Sequence, residues 1–155
     1  SGDQDRFAVI DSVKGPGAEL GRMFALSARA ADLGCSSGQA INFFMVRDGE
    51  ILTPLPRDIL RGVSRGACME LARKLGLTVR EADIEPYDVR EADEAWFTST
   101  TICMVPITRF DLRPIGDGKP GPVYGALLKA WSDEVGIDIA AQAREYAGLA
   151  ATWQP

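Results

Sequence analysis

Ile41-Asn42-Phe43-Phe44-Met45-Val46-Arg47-Asp48-Gly49-Glu50-Ile51-Leu52-Thr53 contains two β-prone runs separated by Asp48-Gly49. Aromatic and β-branched side chains suit a pleated, half-buried surface, and an Asp-Gly pair accepts the positive φ angles of a two-residue hairpin turn. This stretch therefore predicts a β-hairpin, and the chain is read outward from it. Downstream, after Pro54 and Pro56, the spacing predicts a helix over 63–75 with Val63, Ala67, Leu71 and Leu75 on one face and Gly76 closing it. Leu77-Thr78-Val79-Arg80 reads as a strand, Glu85-Pro86-Tyr87-Asp88 as a turn and Ala95-Trp96-Phe97-Thr98 as a strand. Residues 102–110 continue as β structure, with Pro106 marking a bulge or an edge. The glycines and prolines of 116–122 make a loop, and Pro122 suits the first turn of a helix that runs through Tyr124, Leu127, Leu128 and Trp131 to Val135. A last helix is expected over 138–147. Upstream, Phe7-Ala8-Val9-Ile10 is β-like, and Leu20, Phe24, Ala28 and Ala31 recur at helical spacing over 18–33, with Gly34 as the stop.

At 155 residues, 46% hydrophobic and 25% charged, the chain is long and apolar enough for one globular domain with its own core. A formal charge of −5 and the lack of any basic run with interleaved aromatics argue against nucleic acid as a partner. No apolar run reaches bilayer length, and Ser1-Gly2-Asp3-Gln4-Asp5 has no signal-peptide layout, so a soluble cytoplasmic protein with no membrane partner is expected. There is no histidine. Histidine triads, His-ligated zinc and imidazole relays are thereby excluded within this chain, which leaves lysine, carboxylate, hydroxyl, thiol or a cofactor. Cys35, Cys68 and Cys103 are odd in number with no CxxC spacing. Cys68 and Cys103 fall in apolar surroundings that suit small core residues.

Two short stretches look like phosphate cradles. Leu60-Arg61-Gly62-Val63-Ser64-Arg65 opens a helix, where a glycine permits close approach of the backbone and free N–H groups meet an anion at the favourable end of the dipole. Phe97-Thr98-Ser99-Thr100-Thr101 places hydroxyls at the exit of an apolar strand. Read singly, Ser64 serves equally well as a helix cap and the threonines as plain strand.

The order of four segments carries a resemblance. Ile41 to Gly49, then Asp58-Ile59-Leu60-Arg61-Gly62-Val63-Ser64-Arg65, then Ala92-Asp93-Glu94-Ala95-Trp96-Phe97-Thr98-Ser99-Thr100, then Arg113-Pro114-Ile115-Gly116-Asp117-Gly118-Lys119-Pro120-Gly121-Pro122 is similar to the class IV (fold-type IV) pyridoxal-phosphate aminotransferases. Branched-chain, D-amino-acid and R-selective amine transaminases belong to that family. The resemblance implies an α/β (α+β) fold: a mainly antiparallel, barrel-like twisted sheet with helices packed outside. It implies that 1–155 is a single domain like the family's C-terminal cofactor domain, with 1–40 divergent and shortened and the N-terminal small domain absent. The cofactor implied is pyridoxal 5'-phosphate. Leu60 matches the residue that packs on its pyridine ring. Gly62, Val63 and Ser64 match the helix start that holds its phosphate, and Ser99 and Thr100 join them from the strand end. The Thr100-Thr101 backbone matches amides that meet the substrate carboxylate.

Lys14, ahead of Gly15-Pro16-Gly17 and a helix with Ala25, Ala28 and Ala31, matches the family's catalytic lysine. On its own residues it is equally an ordinary exposed lysine. Where the family has a glutamate for the pyridine nitrogen, this chain has Ser37 or a small neighbour. Two functions follow from the resemblance. One is an aminotransferase exchanging an amino group between an amino acid or amine and a 2-oxo acid; the other is a truncated or degenerate relative that folds and dimerises without catalysis. A homodimer is expected on either.

Overall fold

The computed structural model describes residues 42–56, 62–99, 103–110, 112–143 and 145. Lys14, Cys35, Leu60, Thr100, Thr101, the expected 7–10 strand and the expected 18–33 helix lie outside them.

The hairpin forms as its sequence requires. β1 (Asn42–Arg47) and β2 (Glu50–Pro54) pair antiparallel with Met45 opposite Leu52 and Arg47 opposite Glu50. The turn is made at Asp48, with φ 53°, and Gly49, with φ 77°, the left-handed pair that matches strand twist. β3 (Val79–Ala82) runs parallel to β2, while β4 (Glu94–Ser99) lies antiparallel on the other side of β1. β5 (Cys103–Ile107) is antiparallel to β4, giving the order β3-β2-β1-β4-β5. The described sheet is therefore open and mainly antiparallel. Pro106, which cannot donate to a ladder, is tolerated because β5 is an edge among the described strands. A small two-stranded ribbon pairs β6 (Arg109–Phe110) with β7 (Arg113–Pro114).

Alternation along the strands splits the core in two. One face carries Met45, Leu52, Ala95, Phe97, Val105 and Ile107, which pack with Val89, Phe110 and Ile115. The other carries Phe44, Val46, Ile51, Trp96 and Met104, covered by α1 (Val63–Lys74) and α3 (Pro122–Val135). Here Phe44 stacks on Trp96 at 5.7 Å and Tyr124 leans on the same indole at 6.3 Å. At the outer ends of the helices Lys74 bridges Glu70 and Glu134, each at 3.2 Å.

Three expectations need correction. Glu85–Asp88 is not a simple turn: it opens a short helix, α2 (Pro86–Arg90), because Glu85 and Asp88 form a reciprocal capping box and Pro86 sits at the first position. The third strand begins two residues later than read, at Val79. The buried face of α1 is also only in part the one expected, with Leu71 inside as read and the ends of the expected stripe outside. Val63 is 81% exposed and Leu75 is exposed, whereas Ser64, Arg65, Cys68, Met69, Leu71 and Ala72 turn inward. Arg65 tolerates this because partners await it: its Nη2 donates to the Pro54 carbonyl at 3.0 Å and to Glu81 Oε1 at 2.9 Å. Residues 139–143 are helical, and Asp138 Oδ1 accepts the Ala141 N–H at 2.9 Å, as an N-cap should. Among the described residues no helix is long and apolar enough to cross a membrane, and no cluster of acids and thiols is arranged to hold a metal ion.

Candidate functional site

The start of α1 stands over the entry of β1 and the exit of β4. Gly62 is the cap residue, with φ −76° and ψ 140°; no side chain caps the helix, and no acidic residue lies in its first turn. Ser64 is therefore not the cap: it lies two residues past it and is buried. Those dihedrals are open to any residue, so glycine is not needed for φ. It is needed for space. A methyl group at position 62 would overlap the carboxamide oxygen of Asn42. The close approach that demands glycine here is thus to the sheet.

The second helix start is arranged in the opposite way. The buried carboxylate of Glu94 reaches across to α3 and accepts the Val123 N–H at 3.0 Å and the Tyr124 N–H at 2.9 Å. Gly121 leaves room for it, since a Cβ there would overlap the Glu94 side chain. The chain therefore fills the positive end of α3 with its own anion and supplies none at the start of α1. That difference, with a hydroxyl in the first turn, fits a phosphate group at α1.

Of the residues expected in the site, Gly62, Val63 and Ser64 share the first turn of α1, and Ser99 closes β4. Alternation puts Ser99 with Ala95 and Phe97, on the face away from α1, where it is buried and opposite Cys103 in register. The strand residue sharing the α1 face is Thr98. It pairs directly with Asn42, and both are enclosed, at 0% and 1% exposure. The Thr98 hydroxyl has no hydrogen-bond partner among the described residues. Asn42 and Thr98 were not singled out from sequence, although each is the polar end of an otherwise apolar stripe: Asn42 before Phe44 and Val46, Thr98 after Trp96. Glu94 was also missed, being an acid on a strand whose neighbours are apolar.

The residues around this point hold their thiols and phenol neutral. Burial pushes the Cys68 thiol up to about 12; the nearby Cys103 adds to the rise and the Trp96 indole opposes it. Burial pushes Cys103 up to about 11. Tyr124 is likewise raised by burial, and its hydroxyl donates to the Met104 carbonyl at 3.3 Å. None of the three is poised as a nucleophile at neutral pH. Cys103 takes a φ of 60° at the head of β5, an uncommon geometry for a side chain with a Cβ, one residue beyond the 100–102 connection.

Two depressions lie elsewhere. One of about 620 Å³ runs along α3 past Leu128, Ser132 and Ile137; another of about 250 Å³ lies between Arg47, Arg80 and Asp88. Neither is lined by Gly62, Ser64 or Ser99. The geometry of the helix start is the better guide to an anion site, because backbone amides bind phosphate without needing a deep cavity.

Known proteins bear on this arrangement. The family model for amino-transferase class IV matches residues 30–110. The D-alanine aminotransferase of Listeria monocytogenes is 38% identical over 97 residues, which are 62% of this chain and 34% of that protein. The branched-chain-amino-acid aminotransferase of Pseudomonas aeruginosa is 39% identical over 100 residues, covering 64% and 33%. Among solved structures, an aminotransferase from Brucella abortus bound to the cofactor PLP superposes with a TM-score of 0.57 at 34% identity, over 61% of this chain and 33% of that one. The chain thus spans about a third of the length of the curated relatives it matches. With more than half of its length matched by the family model, the chain belongs to the class IV aminotransferase family.

Proposed function

We propose that this chain is the cofactor-binding portion of a pyridoxal-phosphate-dependent aminotransferase that exchanges an amino group between an amino acid or amine and a 2-oxo acid. The observation that carries the reading is the start of α1: uncapped, free of acid in its first turn, and set on the sheet beside the end of β4. In this reading the amides of Val63 and Ser64 and the hydroxyls of Ser64 and Thr100 hold the cofactor phosphate, and Ser99, which faces away from α1, shapes the strand end without touching it. Leu60 packs against the pyridine face. Lys14 would hold the cofactor through its side-chain amine and move the substrate's α-proton, and the Thr100-Thr101 amides would orient the substrate carboxylate. When bound, the cofactor supplies the electron sink that this set of side chains lacks. The reading also takes residues 1–155 as one cofactor domain whose sheet curls towards a barrel, in a cytoplasmic homodimer. Exposed Tyr87 and Leu112 give such a dimer apolar surface to cover.

One sequence observation favours a second reading, in which the chain folds and dimerises without exchange. From Leu33 to Val46 there is no carboxylate to pair with the pyridine nitrogen. Titrating the chain with pyridoxal phosphate while following the visible spectrum separates the two. Exchange predicts a new protein-dependent band that Lys14→Ala removes, and borohydride then fixes a pyridoxyl group to Lys14. Binding with no band, or label spread over exposed lysines, leaves the non-catalytic reading.

A further inference from the structure

Resting on the phosphate site just proposed, we infer that Asn42 is its positioning residue: the buried carboxamide under Gly62 sets the height at which α1 begins above the sheet. The carboxamide of Asn42 occupies the space that a Cβ at position 62 would need, so the cap residue of α1 rests directly on the first residue of β1. Asn42 is fixed on its other side by β4, where it lies directly opposite Thr98. The Thr98 hydroxyl is wholly enclosed and has no hydrogen-bond partner among the described residues.

Two polar side chains are thus buried at the end of a face otherwise made of Phe44, Val46, Trp96 and Met104. An apolar pair of the same size would avoid that desolvation cost. What the polar pair provides is a seat of fixed shape and dipole beneath the amides of Val63 and Ser64. A phosphate held by backbone amides loses affinity steeply when those amides shift by a fraction of a hydrogen-bond length. Asn42 need not touch the ligand to govern its binding.

A double-mutant cycle on the 155-residue chain tests this, with dissociation constants for pyridoxal phosphate and for inorganic phosphate read alongside the thermal unfolding midpoint. Gly62→Ala is expected to weaken binding of both by about tenfold or more, and Asn42→Ala by about tenfold. The double variant should bind no worse than Asn42→Ala alone, because the added methyl then has room. If Asn42→Ala does not fold, Asn42→Ser carries the same comparison. Unchanged affinity in the Asn42 variant with a lowered midpoint would make the residue merely structural and overturn the inference. Simple additivity of the two losses would overturn the contact. If the unsubstituted chain binds neither ligand, the phosphate site itself fails and this inference with it; the first two outcomes leave that site standing.

Discussion

Glu94 shows how a single side chain can set the course of a loop and a helix. A buried carboxylate is costly unless it is fully engaged. Here the cost is offset by two backbone N–H donors, from Val123 and Tyr124, and by the positive end of the α3 dipole. Glu94→Gln keeps the shape but turns two charge-assisted bonds into neutral ones and brings an amide NH₂ near the donors; a loss of about 1–2 kcal/mol is expected. Glu94→Ala leaves both donors buried without a partner and should cost about 3 kcal/mol. Gly121→Ala attacks the same contact from the helix side, since its methyl would overlap the Glu94 carboxylate. Urea unfolding of the three variants checks the argument, and midpoints equal to that of the parent chain would refute it. Glu94→Gln should also be the mildest of the three, because it removes charge without creating a void or a clash.

Helix α1 joins this local chemistry to the sheet, and Arg65 is its fastening. In the first turn the guanidinium is nearly enclosed, and it grips the β2 carbonyl of Pro54 and the β3 carboxylate of Glu81. Arg65→Ala removes the buried donor of the Pro54 carbonyl and is expected to cost about 2 kcal/mol, while Glu81, which is exposed, returns to water. Arg65→Lys should recover little, since both acceptors are met by the terminal Nη2 and the lysine amine ends one bond short of it. Thermal unfolding ranks the two. A Lys variant as stable as the parent would show that charge alone suffices. The same helix marks where sequence reading succeeds and where it stops. Its bounds were legible from the periodicity and Gly76, which takes φ 75° as a stop residue should. Its inner face was not, because counting apolar residues chose Val63, Ala67, Leu71 and Leu75. The partners that admit Arg65 to the interior lie on β2 and β3, outside any local window. The Asp48-Gly49 hairpin was fully legible because its turn chemistry is local. The glycine and hydroxyls of the helix start were legible as types, but the role of Gly62 was not. That role depends on Asn42, twenty residues earlier in the chain and brought beneath it only by strand pairing.

Across the whole domain, the face beneath α1 and α3 gathers three weak acids that must stay neutral for the core to close: Cys68, Cys103 and Tyr124. All three are raised by burial, Cys68 to about 12 from an ordinary 9.0 and Cys103 to about 11. Below pH 9 the folded and unfolded chains both keep these protons, so the groups add no pH dependence. Above it the unfolded chain releases protons that the folded chain retains, and stability must fall as pH rises. For Cys68 the loss runs from pH 9 to about 12, at a limiting slope of about 1.4 kcal/mol per unit. Cys103 and Tyr124 add to it over their own ranges. Urea unfolding at pH 7, 8, 9, 10 and 11 should therefore give a plateau followed by a decline that steepens above pH 9. Cys68→Ala lowers the plateau through lost packing, yet its alkaline limb should be shallower by about one proton, because the replaced thiol no longer titrates on unfolding. Equal slopes in the two proteins would mean that Cys68 ionises as readily folded as unfolded, and the thiol would then not be sealed beneath Trp96.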